Sequence, residues 1–129
     1  MHEWVDHTAE LELRVCAETP EAVIDDATRA MGELLGEPAG EPVTHALEVS
    51  AGDRPGLLAA WLEELVFLSE HDQLIPAGAE AIDLGDGALR GEVLARRGRP
   101  SYLVKAITYH RLSFEPAGDG WRASVVLDV

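Results

Sequence analysis

The chain is 129 residues long, enough for one domain with a sizeable core, and its 24 acidic and 10 basic residues give a formal net charge of -14. This charge argues against a nucleic-acid surface, because the phosphate backbone would be repelled unless basic residues were concentrated on one face. The single cysteine excludes an internal disulfide, and no apolar run is long enough to span a bilayer, so we expect a cytoplasmic protein without membrane association.

The first predicted element is a strand that follows a polar stretch at residues 6–10. Residues 10–16 alternate between polar and apolar side chains, which is the period of a half-buried strand. Glu10 starts this strand and faces away from its apolar side, which carries Leu11, Leu13 and Val15.

Two amphipathic helices are predicted next. Thr19 is a helix N-cap followed by proline at the first helical position, and Gly36 is placed to end this helix. A second helix begins after Asp53, and its apolar stripe is broader, which predicts deeper burial. Between the helices we expect a loop at residues 38–42, because it contains two prolines, and a strand over residues 44–50.

The remainder of the chain is predicted to be a β-meander. Residues 79–84 and 88–95 flank a Gly-Asp-Gly turn, which indicates a hairpin. We expect a longer, bent strand over residues 101–115, a final strand over residues 121–129, and a solvated turn at the basic run 90–99. This order of elements predicts an α+β fold in a single domain over residues 1–129, with two main helices packed on a largely antiparallel sheet.

The last strand repeats the pattern of the first, with Asp128 on its polar side. If the two strands share a sheet, Glu10, Asp128 and the terminal carboxylate of Val129 could converge. Such a group of oxygens suits a hard divalent cation. The alternative is that these acids are simply solvated.

Five groups of residues stand out in chain order: DHTAE at 6–10, PEA at 20–22, LL at 57–58 with WLEEL at 61–65, VKAITYH at 104–110, and LDV at 127–129. In this ordered set the chain resembles the archease family over nearly its whole length, so we expect an archease-like domain.

The resemblance implies an accessory protein rather than an enzyme. Archeases assist RtcB-type RNA ligases in tRNA splicing and RNA repair, where they promote guanylylation of the ligase and its multiple turnover. The family is also chaperone-like towards a tRNA methyltransferase. The resemblance further implies a metal site at Glu10, Asp128 and Val129. Ca²⁺ is the expected ion, with Mg²⁺ or Mn²⁺ as alternatives. Glu10 stands where the family has aspartate, which leaves the identity of the ion open.

Three further polar residues have open roles. His7 either orients a metal-binding carboxylate or bonds local backbone. Lys105 is expected in a plain salt bridge more than in contact with a ligase-bound nucleotide. His110 has no partner nucleophile, which weakens an enzymatic interpretation.

Two alternative functions remain. One is a metal-dependent hydrolase of a small phosphorylated substrate, which would use the same carboxylates and His110. The other is an acidic protein-interaction module without a metal. For the accessory protein, the expected partner is an RtcB-type ligase, with no direct binding of nucleic acid.

Overall fold

The computed structural model describes residues 1–129 as seven strands and two helices. In chain order they are β1 (His2–His7), β2 (Glu10–Ala17), α1 (Pro20–Leu35), β3 (Gly36–Ser50), α2 (Arg54–His71), β4 (Leu74–Leu84), β5 (Ala88–Pro100), β6 (Ala106–Ala117) and β7 (Gly120–Asp128). The strands form two antiparallel sheets, with the orders β1-β2-β7-β6 and β3-β5-β4. The predicted α+β class, with two helices packed on antiparallel strands, is confirmed. The strands form two sheets rather than the one expected, and β5 and β6 lie in different sheets, so the prediction of a continuous meander is wrong.

The helices begin where the sequence predicts. The side chain of Thr19 accepts a hydrogen bond from the backbone of Ala22 at 3.0 Å, and that of Asp53 accepts one from Gly56 at 2.8 Å. Each helix contacts strands of both sheets. α2 buries Leu57, Leu58, Trp61, Leu62 and Leu65 completely. Nine of its 18 residues are buried, against eight of 16 in α1, so the deeper burial predicted for α2 is not observed. Neither helix has the length and apolar character that a membrane crossing requires.

The prediction of a loop at residues 38–42 is wrong, because these residues belong to β3. The register of β3 against β5 shifts between Pro38 and Pro42, which marks an irregularity in the ladder. β3 is an edge strand of the three-stranded sheet. Proline is tolerated there because one side of an edge strand needs no backbone N–H for pairing.

The prediction of a solvated turn at residues 90–99 is also wrong, because these residues belong to β5. β5 is the central strand of the three-stranded sheet. Arg96 Nε donates to the carbonyl of Gly40 at 3.0 Å, opposite the irregular part of β3. The hairpin between β4 and β5 is present as predicted, and the backbone N–H of Gly85 donates to the carbonyl of Ala88 at 2.9 Å. β6 begins at Ala106, later than predicted, and its register against β7 shifts between Thr108 and Ser113.

A buried hydrogen bond joins the two helices. Trp61 Nε1 on α2 donates to Thr28 Oγ1 on α1 at 3.0 Å, and that hydroxyl donates to the carbonyl of Ile24 at 2.7 Å. Both Trp61 and Thr28 are fully buried. The indole N–H therefore depends on this hydroxyl as its acceptor.

Replacing Thr28 with valine should destabilise the protein, because the indole N–H would be left buried without an acceptor. We expect Thr28→Val to lower the free energy of unfolding by about 1–3 kcal/mol. Urea unfolding followed by tryptophan fluorescence measures the change. Thr44→Val, at an exposed position of β3, is the control and should change this free energy by less than about 0.5 kcal/mol. A Thr28→Val protein as stable as the unsubstituted one would show that the hydrogen bond contributes nothing.

Candidate metal centre

The two acidic side chains predicted for the cation site lie directly opposite each other. β2 and β7 are antiparallel neighbours, and Glu10 is the register partner of Asp128. The backbone N–H of Val129 donates to the carbonyl of Ala9 at 3.4 Å. This hydrogen bond joins the residues that flank Glu10 and Asp128, so Glu10 and Asp128 themselves form a non-hydrogen-bonded pair of the antiparallel ladder. The Cβ atoms of such a pair are typically about 4.5–5.5 Å apart.

Both carboxylates point away from the helices. Leu11, Leu13 and Leu127 alternate with them along the strands, and these side chains pack in or against the core. We call the opposite surface of the four-stranded sheet its outer face. Glu10 and Asp128 are half-buried on this face. Neither forms an ion pair within the chain. Like charges directly opposite each other in a sheet are destabilising, so a cation here would relieve repulsion.

The donor set at this end of the sheet consists of oxygen atoms. The structure has no cluster of three or more His, Cys, Asp or Glu side chains suited to a metal ion. It offers two side-chain carboxylates, and Val129, the third predicted ligand, follows Asp128 directly. Oxygen-only donors suit a hard cation such as Ca²⁺, whose flexible shell also accepts water, whereas Zn²⁺ usually takes nitrogen or sulfur ligands. The residues present therefore fit a hard divalent cation.

Lys105 lies beside this pair through its backbone rather than its side chain. Its N–H donates to the carbonyl of Asp128 at 2.8 Å, and the next residue, Ala106, is the register partner of Asp128. The ammonium group forms no ion pair, so the expected salt bridge is wrong. Lys105 instead lines an open groove of about 300 Å³ with Glu63 and Val66 of α2.

His110 is exposed in the irregular middle of β6. Its backbone N–H donates to Thr108 Oγ1 at 3.4 Å. The following residue, Arg111, has a φ of 56°, in the left-handed region that favours glycine. The irregular segment thus separates His110 from the regular pairing that holds Asp128.

His7 has a different partner from either one expected. Its Nε2 lies 2.9 Å from Glu12 Oε1, so His7 bonds neither Glu10 nor local backbone through its ring. Because an ionised carboxylate can only accept, Nε2 carries the proton in this hydrogen bond. His7 is the last residue of β1 and the register partner of Glu10.

Glu12 is the buried charged residue of the outer face, and the sequence alone did not single it out. Its Oε2 accepts from Arg14 Nε at 3.0 Å and from Ser124 Oγ at 2.8 Å. The hydrogen bond from Arg14, followed by that from His7, lowers the pKa of the Glu12 carboxyl from 4.5 to about 2, although burial opposes the shift. Glu12 is therefore ionised at neutral pH.

Comparisons with known proteins decide the family. The family model described as the Archease protein family matches residues 2–129. The chain belongs to the archease family. The archease of Methanopyrus kandleri is 34% identical to it over 137 residues and covers 98% of both chains. That of Pyrococcus furiosus is 30% identical over 142 residues and covers 100% of both chains. The predicted resemblance is confirmed.

Two solved structures resemble this archease over nearly their whole length. The solution structure of protein 1598 of Methanobacterium thermoautotrophicum has a TM-score of 0.69 at 27% identity and covers 99% of this chain and 98% of that one. The crystal structure of an archease from Thermotoga maritima, described as a possible chaperone, has a TM-score of 0.68 at 19% identity. It covers 100% of this chain and 98% of that one, and at this identity the likeness concerns the fold.

The acid stability of this archease should depend on Glu12. Because its pKa is lower in the folded protein, the ionised carboxylate stabilises the fold above about pH 4.5, and this contribution is lost as the pH falls towards about 2. We expect Glu12→Gln to lower the free energy of unfolding at neutral pH and to flatten its decline below about pH 4.5. Urea unfolding at several pH values measures both effects.

The control for this experiment is Glu115→Gln, which removes an exposed carboxylate paired with Arg122 at 3.1 Å. Exposed ion pairs contribute little, so its pH profile should follow that of the unsubstituted protein. Identical profiles for Glu12→Gln and Glu115→Gln would contradict the assignment to Glu12.

Proposed function

We propose that this archease activates an RtcB-type RNA ligase in the cytoplasm, in tRNA splicing or RNA repair. It promotes guanylylation of the ligase and restores the ligase for further turnovers, while the covalent chemistry stays with the ligase. Membership of the archease family over residues 2–129 supports this role. The observation that carries the proposal is the pairing of Glu10 with Asp128, which presents two carboxylates without ion-pair partners on one face.

The proposal includes a divalent cation held by Glu10, Asp128 and the terminal carboxylate of Val129, with Ca²⁺ as the preferred ion. When bound, the cation supplies a concentrated positive charge that adjusts the electrostatics around the ligase's nucleotide. The residues of this chain bind and orient it. Glu10 is one methylene longer than aspartate, and the flexible coordination shell of Ca²⁺ tolerates this better than the stricter octahedron of Mg²⁺.

A chaperone-like role is compatible with this proposal. The Thermotoga maritima archease of the same fold is described as a possible chaperone. An accessory protein that binds another enzyme and stabilises its competent state acts on a conformational equilibrium and needs no nucleophile of its own.

Cation binding should depend on Asp128. We expect calorimetric titration with Ca²⁺ to show one site per chain, and Asp128→Asn to weaken it at least about tenfold, because the number of charged ligands sets the affinity of such sites. Asp119→Asn, in the exposed turn between β6 and β7, is the matched control and should bind as the unsubstituted protein does. Absence of binding, or equal affinity of all three proteins, would remove the cation from the proposal.

Stimulation of the ligase should depend on the same residue. In a ligation assay with limiting GTP and metal, we expect the unsubstituted protein to raise both guanylylation and the number of turnovers. Asp128→Asn should abolish this stimulation with an unchanged circular dichroism spectrum, and Asp119→Asn should retain it. Undiminished stimulation by Asp128→Asn would exclude the site. Turnover of phosphoesters by the protein alone would instead favour the hydrolase.

A further inference from the structure

Glu12 links the three strands that meet at the candidate metal centre. Its three hydrogen-bond donors are His7 on β1, Arg14 on β2 and Ser124 on β7, at 2.9, 3.0 and 2.8 Å. It is the only charged residue in the buried class, which otherwise contains Thr28 and Ser69 as its polar side chains. Burial of a carboxylate is unfavourable unless donors surround it, so this arrangement depends on all three strands.

The position of this carboxylate relates it to the candidate metal centre. Glu12 lies two residues from Glu10 on the same face of β2. Ser124 lies four residues before Asp128 on the same face of β7. The hydrogen bond from His7 fixes the end of β1 directly across from Glu10. The Glu12 side chain therefore connects the end of β1 and the middle of β7 to β2, close to Glu10.

The turn between β1 and β2 needs such an anchor. It consists of Thr8 and Ala9, and Ala9 has a φ of 60°, which is unfavourable for a residue with a Cβ. Conformations of this kind persist when surrounding contacts determine them. The contacts here are the hydrogen bond between His7 and Glu12, before the turn, and the one from Val129 to the Ala9 carbonyl.

We propose that Glu12 is a positioning residue for the cation site, whose carboxylate holds β1, β2 and β7 so that Glu10 and Asp128 face one ion before it binds. This inference rests on the proposed cation site. Glu12 acts through the hydrogen bonds that its two carboxylate oxygens accept from three donors, and not by attracting the ion. Glutamine has the same length but only one accepting oxygen. A shorter side chain of the same charge should therefore fail in this role.

The test is calorimetric titration of the whole protein with Ca²⁺. We expect Glu12→Gln and Glu12→Asp each to weaken Ca²⁺ binding about tenfold, as is usual when groups that orient metal ligands are lost. Glu12→Asp keeps the charge but retracts the carboxylate from its donors, so it separates positioning from simple attraction.

Two control variants complete the set. Glu115→Gln removes a charge from an exposed residue of the outer face, and Thr28→Val destabilises the buried contact between the two helices. Both should bind Ca²⁺ as the unsubstituted protein does, at a temperature where every variant is folded. A loss of affinity in Thr28→Val equal to that in Glu12→Gln would show a general effect of stability and overturn the proposal.

A second readout needs no metal. Amide hydrogen exchange at residues 8–10, measured by NMR without cation, should be several-fold faster in both Glu12 variants and unchanged in Glu115→Gln. Unsubstituted affinity in Glu12→Asp, or unchanged exchange at the turn, would overturn the positioning role while leaving the cation site intact. Absence of Ca²⁺ binding by the unsubstituted protein would overturn the cation site and this inference together.

Discussion

The antiparallel pairing of β2 with β7 is the constraint on which the candidate site depends. It joins residue 10 to residue 128 and decides which side chains share a face. Because side chains alternate along a strand, a slip of one residue would turn Asp128 towards the core and Leu127 towards solvent. Burial of Leu13, Val125 and Leu127 opposes that slip, so the apolar inner face keeps the polar outer face in register.

The outer face distributes its charges in two ways. Away from its end, the sheet carries two ordinary ion pairs, Arg14 with Glu12 and Arg122 with Glu115. At the end of the sheet, Glu10 and Asp128 form no ion pair. In a chain with a net charge of -14, these two carboxylates concentrate negative potential at one place. This contrast supports a cation-binding role there without requiring a dense cluster of ligands.

Local signals failed where the position of a strand within its sheet mattered. Pro38 and Pro42 are typical of a loop, yet β3 accepts them because it lies at an edge with an irregular register. The arginines of residues 90–99 also resembled a solvated turn, although they lie on a central strand whose charged side chains reach solvent. A short stretch of sequence does not show whether its strand lies at the edge or in the centre of a sheet, because this position depends on which strands pair.

The sequence by itself determined the helices, their caps, the β4–β5 hairpin and the alternation that put Glu10 and Asp128 on polar faces, since these depend on residues near one another in the chain. Its ordered motifs also predicted the family. The tertiary structure decided that the two acids are register partners and that His7 bonds Glu12. It also brought Ser124 to Glu12 across 112 positions of sequence. The physical reason is that strand pairing and burial depend on residues far apart in the chain. The alternation of β2 predicts only that Glu12 faces solvent, and Glu12 becomes buried and hydrogen-bonded because β1, β2 and β7 come together around it.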